Sequence, residues 1–283
     1  VARIIAGLGS PHAPAIGAAV DRHDEQSAYW KPLFDGYAPM RTWLERERPD
    51  VFILFSNDHF TSFFLDMIPT FAIGVAGMHE IADEGWGKRQ LPPVPGHTEL
   101  AWHLSNSIVG EGFDPAVCHR LPLDHGCLSP LSALLAWTPQ WPVRLIPILV
   151  NVLHFPIPTP ARCFELGRAV RRAIASYEDD LKVVVLGTGG LSHQLTGERF
   201  GYINPEWDAE FLDRLERDPR SLAALSHQDF IERGGTESVE VILWLCMRGA
   251  LSERVRCVHR NYYHATLTGY GQVIFEDTET APR

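Results

Sequence analysis

The chain has 283 residues, 45% hydrophobic and 21% charged, enough apolar side chain to build one large core; a single domain over 1–283 is expected. Its 35 acidic residues outnumber 25 basic ones, for a net charge of −10, and Lys and Arg form no clustered stripe, which argues against a nucleic-acid partner. Five scattered cysteines without a Cys-x-x-Cys pair, no run of about 18 apolar residues and no basic-then-apolar leader argue against a disulfide framework, a zinc knuckle, a membrane span and a signal peptide, and point to a cytoplasmic enzyme with reduced thiols.

The first predicted element is a β-branched, apolar strand over 3–8, followed by Ser10-Pro11-His12-Ala13-Pro14, where two prolines stiffen the loop that carries the histidine. A second strand, over 51–56, runs directly into Asn57-Asp58-His59; Asn57 or Asp58 suits a cap there. The irregular stretch 82–89 carries Asp83, Glu84 and Trp86 among glycines, and 91–96 reads as a surface loop. Leu123-Asp124-His125-Gly126 sets a histidine beside an acid that could orient it. A strand over 143–150 follows, then a Pro-rich loop over 155–160. A helix over 161–176 puts Phe164, Gly167, Val170 and Ile174 on one face and Arg168, Arg171 and Arg172 opposite.

The strand over 182–187 ends in Gly187-Thr188-Gly189-Gly190-Leu191-Ser192-His193, a glycine-rich turn that lacks the lysine of a phosphate loop. Last comes a helix expected to start at Thr236 as N-cap and to stop at Gly249. Its sequence is apolar almost all round, so Glu237 and Glu240 in its first turn need compensation. For Glu237 the helix dipole suffices; a metal ion would satisfy Glu240.

Strands alternating with helices predict an α/β sandwich whose central mixed sheet is buried under helices on both faces. In such folds the C-terminal strand ends gather along one edge, so His12, His59 and His193 converge in one cleft. Two imidazoles and a carboxylate would hold Fe(II) with coordination positions left open, and would hold zinc equally well.

The motifs Ser10-Pro11-His12, Asn57-Asp58-His59, the 82–87 loop, Asp124-His125-Gly126, 187–194 and 244–251 together resemble the class III extradiol dioxygenases, both the protocatechuate 4,5-dioxygenase β subunit and gallate dioxygenase branches. The resemblance implies Fe(II) held by His12, His59 and Glu240, with O2 as co-substrate. It implies His193 as acid/base, His125 as a second catalytic histidine, and Asn57, Asp58 and Thr268 as substrate contacts. The implied activity is extradiol opening of a catecholic aromatic acid such as protocatechuate. Gallate, 3-O-methylgallate or another substituted catechol is the alternative, and a metal-dependent hydrolase on the same scaffold is the rival. Residues 60–63 and Thr268 resemble the gallate branch, Gly85-Trp86-Gly87 the protocatechuate branch. Because the chain ends at Arg283, the resemblance also implies a small helical α subunit or a homodimer partner that closes the pocket.

Overall fold

In β2, Val51–Ser56, the residues Val51, Ile53 and Phe55 join one apolar cluster while Phe52 and Leu54 join another, and all five are fully buried. A strand with no polar face must lie inside a sheet covered on both sides. That is the architecture of this computed structural model, which describes residues 1–265 and 267–279.

The other strands of the main sheet are β1 (Arg3–Ser10), β3 (Phe71–Gly74), β6 (Ala116–Cys118), β7 (Arg144–Val150), β8 (Lys182–Thr188), β9 (Val255–Ala265) and β10 (Thr268–Asp277), and β4 (Met78–His79) with β5 (Val94–Pro95) forms a separate small pair. Their order across the main sheet is β6-β3-β7-β2-β8-β1-β10-β9. The central four, β7, β2, β8 and β1, are mutually parallel, with Ser10 level with Thr188 and Phe55 with Gly187. An antiparallel hairpin, β10 and β9, extends the β1 side.

Helices α1 (Pro14–Asp21), α2 (Lys31–Glu47) and α4 (His125–Leu134) bury Ile16, Leu33, Tyr37, Met40, Leu128 and Leu131 on one face. On the other face lie α3 (Thr98–Gly110), α5 (Pro160–Ala175), α6 (Pro205–Arg217), α7 (Pro219–Ala223), α8 (His227–Gly234) and α9 (Ile242–Gly249). Helix α9 rests on bare backbone: a Cβ at Gly9 would fall 2.2 Å from the Trp244 ring, and one at Gly187 2.9 Å from Trp244 Cα. Only glycine admits a helix this close to the strands, and the approach brings the turn before α9 down to the strand ends. No helix among the described residues is long and apolar enough to cross a membrane.

The mixed sheet under helices on both faces is the expected fold, and the four anticipated strands are its parallel centre. Two local expectations need correction. Residues 94–95 of the supposed 91–96 loop pair with β4, and Leu91 and Val94 are buried. Thr236 makes no side-chain cap; Gly235 holds that position, and Thr236–Val241 is a 3₁₀ segment that only then becomes α9. The preceding helix runs to Gly234, so the single residue between the two, Gly235 at φ 98°, takes the cap position and Thr236 is already inside the 3₁₀ segment. Strands β3, β6, β9 and β10 went unanticipated, β3 and β6 because three or four residues are too few to show a period.

Candidate metal centre

Three of the central strands, β1, β2 and β8, deliver polar residues at the same edge. His12 lies two residues past β1 and His59 three past β2, and the 189–193 turn leaves β8, which runs between them. Glu240 arrives from the 3₁₀ segment. One ligand atom from each of His12, His59 and Glu240 lies within 4.8 Å of the others, so the three could hold a metal ion.

The hydrogen bonds decide which ring nitrogens are free. Thr188 Oγ1 donates to the Phe55 carbonyl at 3.0 Å, so it accepts from His12 Nδ1–H, also at 3.0 Å. That leaves the lone pair of His12 Nε2 facing Glu240 Oε2 at 3.1 Å. Burial lowers the His12 pKa despite the nearby carboxylate, keeping the ring neutral. For Glu240 burial acts upward, but the histidines around it, His12 first and then His193 and His59, bring it below the usual carboxylate range. A neutral imidazole lone pair and an ionised oxygen at contact distance call for a cation between them. The donor set fits one.

His59 has a carboxylate behind it. Its backbone N–H and its Nδ1–H donate to Asp124 Oδ2 at 2.8 and 3.0 Å, and Asn57 Nδ2 donates to Nε2 at 3.0 Å. Burial works to lower its pKa, yet the charge and hydrogen bonding of Asp124 raise it. Asp124 is buried, which acts upward, but its histidine partners bring it down to about 2. Asp124 also caps α4 through Gly126 N–H at 2.9 Å, so one side chain sets both the helix and the His59 ring.

His125 opens α4, its ring centroid 3.8 Å from that of His59. Its Nδ1–H donates to Glu84 Oε1 at 2.5 Å, and its backbone N–H also points to the Glu84 carboxylate. The irregular 82–89 stretch thus supplies a site residue; Asp83 braces it by accepting Gly85 and Gly87 N–H. His193 is buried, donates Nδ1–H to the Leu191 carbonyl at 2.8 Å, and holds Nε2 3.8 Å from Glu240 Oε2.

The three residues expected to touch substrate are placed differently from one another. Asn57 is buried beside His59, and its Oδ1 has no partner. Thr268 is buried and bridges to His193 across the backbone. Asp58 turns away: both of its oxygens accept from the 61–63 turn, through Thr61 N–H and hydroxyl, Ser62 N–H and Phe63 N–H. Its carboxylate does the local capping that its position after a strand suggests. Glu237 accepts Leu195 N–H at 3.0 Å and lies outside the metal cluster. Sequence reasoning missed the roles of Thr188 and Glu84, although the motif and loop that carry them were visible.

Residues 6–275 match the family model of the catalytic LigB subunit of aromatic ring-opening dioxygenase. A gallate dioxygenase of Pseudomonas putida strain KT2440 is 48% identical over 201 residues, covering 71% of this chain and 59% of that protein, so the match spans less than two thirds of the relative's length. A 2,3-dihydroxyphenylpropionate/2,3-dihydroxicinnamic acid 1,2-dioxygenase of Pseudomonas putida is 30% identical over 259 residues, covering 75% of this chain and 79% of that one. Among solved structures, an uncharacterized protein from Escherichia coli K12 superposes with a TM-score of 0.61 at 13% identity, covering 96% of this chain and 99% of that chain, a likeness of fold alone.

Proposed function

The chain belongs to the aromatic ring-opening dioxygenases, and we propose that it is an Fe(II)-dependent extradiol enzyme acting on a catecholic aromatic acid. The observation that carries this reading is the cluster itself: two imidazoles whose Nδ1–H groups are taken by Thr188 and Asp124, so that Nε2 is the nitrogen turned to the cluster, one ionised carboxylate, and a third imidazole nitrogen 3.8 Å from that carboxylate. His12, His59 and Glu240 would hold the iron. When bound, Fe(II) would offer open positions to the two adjacent hydroxyls of the substrate and to O2.

The remaining steps belong to the chain. With its Nδ1–H committed to Leu191, His193 presents a lone pair at Nε2 and takes the proton of a substrate hydroxyl, to return it as the ring opens. His125, held by Glu84, presents Nε2 in the same way. The buried Asn57 amide and Thr268 hydroxyl offer polar contacts to the substrate. Identity to a gallate dioxygenase makes gallate the first substrate to test, ahead of protocatechuate and 3-O-methylgallate.

A partner chain is part of the proposal. Exposed apolar side chains stand on the loops leaving the strand-end edge: Phe64, Leu65 and Met67 after β2, Trp86 in the Glu84 loop, Phe155 after β7 and Phe200 after β8. Such a rim suits cover by a small helical subunit or a second copy of this chain.

The test is O2 uptake by Fe(II)-loaded protein supplied with gallate, protocatechuate, 3-O-methylgallate and simple catechols, with product spectra. Stoichiometric uptake with a ring-opened product is the expected result. Anaerobic ester or amide hydrolysis by the metal-loaded protein, without uptake, would overturn it in favour of a hydrolase.

A further inference from the structure

We infer that Asp208 is a positioning residue that sets the tautomer and aim of His193 through a single peptide plane, an inference that rests on His193 acting as the acid/base. Asp208 lies in the first turn of α6, where a carboxylate ordinarily faces solvent, yet it is buried and turned inward to the 191–193 turn. Its Oδ1 accepts Ser192 N–H at 2.8 Å; its Oδ2 accepts the Ser192 hydroxyl at 2.7 Å and the Tyr262 hydroxyl at 2.8 Å. The Ser192 oxygen in turn accepts Asn204 N–H at 2.7 Å. A Cβ on Gly269 would fall 2.3 Å from Oδ2, so only glycine at 269 leaves room for the carboxylate in this place.

The relay follows from covalent geometry. Ser192 N–H and the Leu191 carbonyl are the two ends of one planar peptide unit, so a group that pins the N–H pins the carbonyl pointing the opposite way. That carbonyl is the acceptor of His193 Nδ1–H at 2.8 Å. Holding it fixed keeps the proton on Nδ1 and the lone pair on Nε2, directed toward Glu240. A carboxylate on the N–H also polarises the peptide and makes its carbonyl a stronger acceptor. The neighbouring bonds, Leu191 N–H to Gly269 O at 2.8 Å, Gly269 N–H to Ser192 O at 2.9 Å and His193 N–H to Gly234 O at 2.8 Å, restrain the turn but leave this plane to Asp208. Burial pushes the Asp208 carboxyl above its usual range, and its donors only partly offset this, so the charge is kept at a cost in stability.

The experiment compares iron-loaded wild type with Asp208→Ala, Asp208→Asn, Tyr262→Phe and His193→Phe, measuring kcat, KM, iron content and Tm, together with 15N spectra of the histidine rings in the iron-free proteins. Asp208→Ala should lower kcat about tenfold or more while KM and iron content hold, and should admit the Nε2–H tautomer of His193. Asp208→Asn keeps an oxygen for Ser192 N–H, and its amide can donate to hydroxyls that turn to accept, so most of kcat should return. Tyr262→Phe, which touches only Oδ2, should lower Tm and leave kcat nearly unchanged.

An alanine variant with wild-type kcat, or an asparagine variant as impaired as alanine, would overturn the assignment. So would a wild-type His193 that carries its proton on Nε2, a result that stands even should the alanine variant not fold. Unchanged turnover in His193→Phe would instead remove the acid/base reading, and the tautomer spectra would still decide whether Asp208 sets the ring.

Discussion

The floor and the rim of the cleft are built on opposite principles. On the floor each candidate ligand side chain has a partner of its own: His12 has Thr188, His59 has Asp124, and Glu240 has Gly190 N–H at 3.3 Å. These groups are largely buried, at or beside the edge where the parallel strands end. The rim consists of loops whose largest apolar side chains face solvent, Leu65 being 71% and Trp86 67% exposed. A polar, over-determined floor suits the holding of a charged ion in fixed geometry, and an exposed apolar rim suits a surface that another chain covers. Glu84 joins the two, since it belongs to the rim loop that carries Trp86 yet holds His125 on the floor.

The largest effect should come from breaking the floor outright. Glu240→Ala removes the only carboxylate of the ligand set, and iron content should fall with turnover to background, read by metal analysis and O2 uptake. His193→Phe should separate chemistry from binding, retaining iron while turnover drops by about 10²-fold or more. Equal iron loss in both variants would collapse the distinction between ligand and acid/base. Glu84→Ala tests the link between floor and rim: freed from its acceptor, His125 should cost about tenfold in kcat with iron retained.

The pH dependence of stability should also separate the regions. Asp124 is held at about 2 in the folded chain against about 3.9 when unfolded. A depressed carboxyl pKa stabilises the fold above the unfolded value, and that stabilisation is lost as pH falls toward 2. Iron-free Asp124→Asn should therefore show a flatter fall of stability between about pH 4 and pH 2 than wild type, by urea unfolding. The smallest effect on folding belongs to the rim: Leu65→Ser should change stability by no more than about 0.5 kcal/mol while weakening assembly with the proposed partner, read by light scattering. A large loss of stability there would mean that the rim packs within the chain.

Much of this was legible because it is local. Apolar β-branched runs can satisfy their side chains only inside a sheet, and residues just past parallel strands must share an edge, which is why His12, His59 and His193 could be brought together on paper. The resemblance to extradiol enzymes, carried by motifs spread along the chain, agrees with the family match over 6–275. The N-terminal boundary of the last helix was not legible, because α8 ends at Gly234, two residues before the 3₁₀ segment Thr236–Val241 that leads into α9. Asp58 illustrates the opposite risk, a residue inside a functional motif whose carboxylate is spent on its own turn.

Composition and periodicity were thus enough to specify the sandwich, its buried parallel centre and the edge at which chemistry would lie, since each follows from the few residues that make one element. For His12, His59 and His125 tertiary structure alone decided which ring nitrogen carries the proton, because the partners that decide it come from afar, Thr188 standing 176 residues from His12, Asp124 65 from His59 and Glu84 41 from His125, whereas His193 finds its acceptor two residues away at Leu191. A proton's place on a ring is set by whichever acceptor the fold brings within about 3 Å, and no local pattern of residues encodes that meeting.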